Sequence, residues 1–164
     1  MSLSREERQK LILQYSEGPK RLASALARVP ENARKWRPAA GKWSVHEVIC
    51  HCADSEMNSA ARIRFLLAEN HPTIQGYDQD GWAENLGYHD HPIEAAFAMV
   101  EAARGNTMPL LRRLREEDWL REGVHSESGQ YSVEKWMQIY ADHLEVHSRQ
   151  IERNLAAWQA AQAR

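Results

Sequence analysis

The sequence is poor in the residues that staple or bend a chain. Of 164 residues only 2 are Cys, 8 are Gly and 6 are Pro. Cys50 and Cys52 stand two positions apart and cannot close a useful loop. A disulfide framework is therefore excluded, and a reducing, cytoplasmic setting is expected. No uninterrupted apolar run approaches the ~20 residues of a membrane-spanning helix. The first residues, Met1-Ser2-Leu3-Ser4-Arg5-Glu6-Glu7, turn charged at once, so no secretory leader is expected. Positive charge is not in excess: 21 Lys and Arg stand against 23 Asp and Glu. That balance argues against a nucleic-acid partner. No segment has the β-branched, alternating pattern of a strand. A Gly-rich phosphate loop and a G-x-S-x-G nucleophile elbow are also missing.

What the chain does have is a globular balance, 43% hydrophobic and 27% charged residues. The length fits one domain over residues 1–164, enough to bury roughly 70% of the unfolded surface without a staple. Eight His and six Trp stand out.

Four long stretches read as helices. The first runs from about Ser4 to Val29, opened by a Ser4/Glu7 capping box, with a kink or restart expected at Gly18-Pro19. The second opens at Ser44 with Glu47 three residues on, Trp43 and Val48 forming a hydrophobic staple, and stops before Pro72. A long connection from about His71 to His91 follows, with a short helix expected over residues 78–86. Connections this long often cover functional sites. The third helix starts at Pro92 and runs through Leu114, bent near Gly105 and Pro109. A polar turn from Gly123 to Gln130 precedes the fourth, from Ser132 towards Ala161. The expected fold is an all-α four-helix bundle. Gly129-Gln130-Tyr131-Ser132-Val133 echoes Gly41-Lys42-Trp43-Ser44-Val45, which a shared staple-and-cap pattern explains without a duplication.

His143 and His147 stand at i and i+4, which places both imidazoles on one helix face about 6 Å apart. That spacing suits two ligands of one metal ion. The second helix offers His51 as a third, seven residues after Ser44, with His46 as its competitor nearer solvent. If the two helices run parallel, their starts must be staggered by about 9 Å for the rings to meet. His46-Glu47-Val48-Ile49-Cys50-His51 misses the zincin pattern H-E-x-x-H by one position. Glu122-Gly123-Val124-His125 lies in an expected turn and gives no di-iron pair. Cys50 and Cys52 read as small core residues. Around the His set, Glu47 and Asp54 lie at i−4 and i+3 from His51, and Gln150 at i+3 from His147. These are spacings from which a polar group can orient a ligand. Glu47 also serves the capping box, and Asp54 could pair with Arg62. Asp78, Asp80 and Trp82 are candidates to line a site from the connection, or to cap and pack a short helix. His46, His71, His89, His91 and His125 need no special role.

Lys42-Trp43-Ser44-Val45-His46-Glu47 through His51, Asp54 and Glu56 resembles a W-S-x-x-E-x-x-x-H-x-x-D-x-E pattern. His143-Leu144-Glu145-Val146-His147-Ser148-Arg149-Gln150-Ile151 resembles H-x-x-x-H-x-x-Q-I, and Asp78-Gln79-Asp80-Gly81-Trp82 resembles a central Asp-Gln-Asp-x-Trp run. Together these resemble the DinB/YfiT-like superfamily over nearly the whole chain. The resemblance implies a DinB-like four-helix bundle and a divalent metal held by His51, His143 and His147. Three imidazoles suit Zn, Ni, Fe or Cu, with Zn, Ni or Fe expected. It also implies an enzyme acting on a small molecule, either a hydrolase or a transferase using a low-molecular-weight thiol. The sequence shows no decisive acid, base or nucleophile beyond the ligands, which leaves a non-catalytic metal-binding or stress-associated interaction module as the alternative. A homodimer would be favoured by Trp or Leu exposed on one bundle face.

Overall fold

The computed structural model describes residues 2–163. Four long helices form the bundle: α1 (Arg5–Ala27), α2 (Val45–Ala68), α4 (Ile93–Leu111) and α6 (Val133–Gln162). Two short ones, α3 (Gln79–Asn85) and α5 (Glu116–Trp119), lie in the connections. The Ser4/Glu7 and Ser44/Glu47 capping boxes form as their spacing predicts, and the Ser132 hydroxyl accepts from the N–H of Lys135 to cap α6. Among the described residues no helix is long and apolar enough to cross a membrane.

Cross-helix contacts fix the directions. Arg8 meets Glu134, and Arg28 meets Glu152, so α1 and α6 are parallel. Glu56 meets Arg104, and Arg64 meets Asn106, while His46 lies against the carbonyl of His91, so α2 and α4 are parallel too. Trp136 Nε1 donates to Ser59 O and Asn154 Nδ2 to Trp43 O, so α2 and α6 are antiparallel. The order is up, down, down, up. Because α2 and α4 are parallel, the chain must travel back the length of α2 between them. That return path is the physical reason for the long connection.

The return path is pinned at several points. β1 (Thr73–Ile74) pairs parallel with β2 (Glu122–His125), which pairs antiparallel with β3 (Gly129–Ser132). Farther on, the Tyr88 hydroxyl donates to Asp54 Oδ2 at 2.6 Å, and His89 Nε2 lies 2.8 Å from Ser44 Oγ. The small sheet corrects the expectation of a polar turn at 123–130. Its strands are two to four residues long, too short to display a period. Gly123 is required there: a Cβ would stand 2.2 Å from Pro72 O, where β1 enters the sheet.

No restart occurs at Gly18-Pro19, because α1 runs through it as one helix. Pro19 has no N–H to donate to the carbonyl of Tyr15. Arg104 Nη1 donates to that carbonyl instead, at 2.5 Å. A Cβ on Gly18 would lie 2.4 Å from the same nitrogen, so glycine opens the space the guanidinium occupies. In α4 the helix likewise continues past Gly105 and Pro109 to Leu111.

The bundle has two apolar cores. One gathers Leu22, Val48, Ile49, Val100, Leu144 and Ile151, and the other Tyr15, Ile63, Leu66, Leu111, Trp136 and Met137. Glu56 and Arg104 lie between them, 0% and 1% exposed. Their carboxylate and guanidinium join through two hydrogen bonds of 2.9 and 2.7 Å, and Arg104 Nη2 also donates to Tyr140 O. All hydrogen-bonding groups of a buried ion pair must be met this way if its desolvation is to be offset. Cys50 and Cys52 are free, buried thiols, in keeping with their reading as core residues.

Candidate metal centre

The three His residues converge at the middle of the antiparallel α2–α6 pair. His51 is eight residues from both Trp43 and Ser59, and the midpoint of His143 and His147 is nine from both Trp136 and Asn154. The stagger needed by parallel helices is therefore unnecessary. Ring centroids lie 5.4 Å apart for His51–His143, 4.8 Å for His51–His147 and 4.6 Å for His143–His147. One nitrogen from each ring lies within 4.8 Å of the other two. Nitrogens bound tetrahedrally to one ion stand about 3.4 Å apart, so a small closing movement of the rings is all that is needed.

The electrostatics favour neutral, lone-pair-bearing rings. Burial, reinforced by repulsion from His147 and His143, drives His51 down to about 2. Burial and His143 bring His147 down to about 4. Gln150 Oε1 lies 2.8 Å from His147 Nδ1. An amide oxygen only accepts, so Nδ1 carries the hydrogen and Nε2 is left as the ligand atom. The Nδ1 atoms of His51 and His143 are buried without a hydrogen-bond partner. Trp43 packs on His51 with ring centroids 4.7 Å apart.

Glu56 is the residue that the spacing argument missed. Its Oε1 lies 3.5 Å from His143 Nδ1, beyond a good hydrogen bond but within ion-pair range. Glu56 stands five residues after His51, off the face that His51 occupies. It reaches the site from the bundle interior, under His143 on the other helix. Its position at the end of the motif that begins at Trp43 was the available signal.

The other candidates lie elsewhere. Glu47 accepts from the Ser44 N–H at 2.8 Å, pairs with Arg37 and lies 3.2 Å from His89 Nε2. It is a cap and ion-pair residue rather than a partner of His51. Asp54 accepts from Tyr88, not from Arg62 or His51, and helps line a cavity of about 280 Å³ with Cys50, Leu86 and His91. Asp78 caps α3 by accepting from Gly81 N at 3.0 Å, and Asp80 is exposed in its first turn. Trp82 packs 4.4 Å from Tyr77 and against the first apolar core. His46 and His125, expected near solvent or in a turn, are buried, at 7% and 8% exposure. His46 Nε2 is tied to His91 O at 2.8 Å, and His125 sits in β2 against Tyr131.

Comparison with known proteins agrees with this arrangement. A protein from Oceanobacillus iheyensis named "putative metal-dependent hydrolase" is 40% identical over 107 residues, 65% of this chain and 62% of its own length. One of the same description from Bacillus subtilis, YfiT, is 28% identical over 147 residues, 89% of this chain and 83% of its own. The YfiT structure, described as an unusual four-helix bundle topology, superposes with a TM-score of 0.87 at 27% identity, covering 93% of this chain and 88% of that one. A mycothiol-dependent maleylpyruvate isomerase shares the fold at a TM-score of 0.62 and 13% identity, with this chain spanning 60% of its length. The DinB superfamily profile matches residues 14–151. The mid-helix His cluster, the up-down-down-up bundle and this match agree: the chain belongs to the DinB superfamily.

Proposed function

We propose that this protein is a metal-dependent enzyme acting on a small molecule, with His51, His143 and His147 holding one divalent ion, Zn, Ni or Fe. The observation that carries the reading is the convergence of three imidazoles, one nitrogen of each lying within 4.8 Å of the other two, with His51 Nδ1 buried and without a protein partner. Buried polar atoms are almost always paired, so His51 Nδ1 calls for a group that the protein does not supply. The names of the relatives point the same way.

An ion in a three-His site supplies Lewis acidity and lowers the pKa of a water or a thiol. The chain's own residues do the rest. Gln150 holds the His147 tautomer, and the Glu56 carboxylate supports His143 from below. Trp43 shields His51 on one side. Hydrolysis is the favoured reaction because the relatives that match most of the chain bear that description. Transfer of a low-molecular-weight thiol uses the same centre, and its support is a shared fold. We place the reaction in a reducing compartment, where Cys50 and Cys52 remain thiols.

Metal analysis of untagged protein tests the reading. About one divalent ion per chain is expected, lost in His143→Ala and retained in His89→Ala. A wild type that takes up no stoichiometric divalent ion would overturn it. A screen of esters, amides and thiol-plus-electrophile pairs on the loaded protein then separates hydrolysis from thiol transfer.

A further inference from the structure

Arg62 lies eleven residues beyond His51 on α2, about three turns, so both project from the same side of the helix. Its Nη1 donates to the Tyr140 hydroxyl at 3.0 Å and its Nη2 to Gln75 O at 2.6 Å. Its guanidinium carbon lies 5.8 Å from the centre of the Tyr77 ring. Among the described residues the two buried arginines, Arg8 and Arg104, both meet carboxylates. Half-buried Arg62 meets none among the described residues, and its Nε is buried without a partner. The Tyr77 hydroxyl, close by, is also buried and unpartnered. Burial pushes that hydroxyl up to about 12, so it stays an O–H donor at neutral pH.

Tyr140 links this cluster to the His centre. Its hydroxyl receives the Arg62 hydrogen bond, while its ring centroid lies 5.8 Å from that of His143. One tyrosine side chain thus separates an uncompensated positive charge from the candidate metal ligands. Two unused donors, one of them cationic, match a planar carboxylate, the partner that an arginine fork binds best.

We propose that Arg62, Tyr77 and Tyr140 form the anion-binding end of the active site, so that the substrate carries a carboxylate about one aromatic ring away from its reacting atom. The inference rests on the metal-centre reading above. The carboxylate accepts from Arg62 Nε and from the Tyr77 hydroxyl, and this satisfies both unpartnered donors. Pinning the carbonyl of Gln75, a neutral acceptor, takes one N–H of the guanidinium and accounts for neither the charge nor the free Nε.

The full chain loaded with cobalt(II) gives the test. 6-Mercaptohexanoate and 6-mercaptohexanol both present a thiol to the metal, and only the first carries a carboxylate. Binding is read from the thiolate-to-cobalt absorption band. Wild type is expected to bind the carboxylate probe at least about 10-fold more tightly, the range of a charge-assisted hydrogen bond. Arg62→Met should abolish the preference while keeping the affinity for the alcohol. Tyr77→Phe, which removes one hydroxyl, should reduce the preference several-fold and decides the matter if Arg62→Met fails to fold. Equal affinities in the wild type, or a preference untouched by these variants, overturn the proposal while a normal cobalt spectrum leaves the metal centre standing. A wild type that takes up no cobalt overturns both.

Discussion

Arg104 on α4 holds Glu56 on α2 through two hydrogen bonds, at the level where the two apolar cores meet. The same guanidinium takes the Tyr15 carbonyl that Pro19 leaves free and stacks 4.0 Å from the Tyr15 ring centre. One side chain therefore ties α1, α2, α4 and α6 together. Removing either charge alone leaves its partner buried and unpaired, which costs about 3–5 kcal/mol. Arg104→Met and Glu56→Gln should each destabilise the metal-free protein by about that much in urea titrations. The double variant should cost clearly less than the sum.

Gln150 offers a milder perturbation. It touches the centre only through His147 Nδ1, and it is only half-buried. Gln150→Leu should leave the metal-free unfolding free energy within about 0.5 kcal/mol of wild type. Its metal affinity, measured by competition with a chelating dye, should fall by about 10–100-fold, the usual cost of losing a group that orients a ligand.

Acid sensitivity should come in part from Glu47. Burial alone would raise its pKa, but Arg37, the N–H and hydroxyl of Ser44, and His89 outweigh it and bring the carboxyl to about 2. The folded state therefore holds the proton less tightly than the unfolded chain, whose carboxyl titrates near 4.5. The stabilisation is complete above pH 4.5 and is lost as pH falls towards about 2. Glu47→Gln should flatten the stability profile of the metal-free protein over that window. At neutral pH it should cost about 1–3 kcal/mol, through loss of a charged cap and its ion pair. Equal slopes in wild type and variant would refute this.

The sequence exposed the four helices because each is long, capped and periodic, and Ser4, Ser44 and Ser132 mark three starts almost to the residue. It exposed the His cluster because spacing within a helix is a local property. Helix direction is not local. Whether α2 runs with or against α6 depends on packing, so the stagger that a parallel pair requires does not apply to the antiparallel pair that forms. The same holds for Glu56, whose partner is 87 positions away. Pro19 does not end the helix, for a reason that is also non-local. Its local cost is real, but Arg104 meets the orphaned carbonyl from another helix. The short strands were hidden because pairing with Pro72 and Ile74, rather than intrinsic preference, holds them.

His51 and His143 are 92 positions apart and lie on helices that face each other across the bundle. An ion shared between them would close a loop of more than half the chain. In the unfolded ensemble, a closure of that length removes more conformational freedom than a short one. A chain without a disulfide would thus gain a removable cross-link, coupling the cohesion of its two terminal thirds to the supply of metal around it.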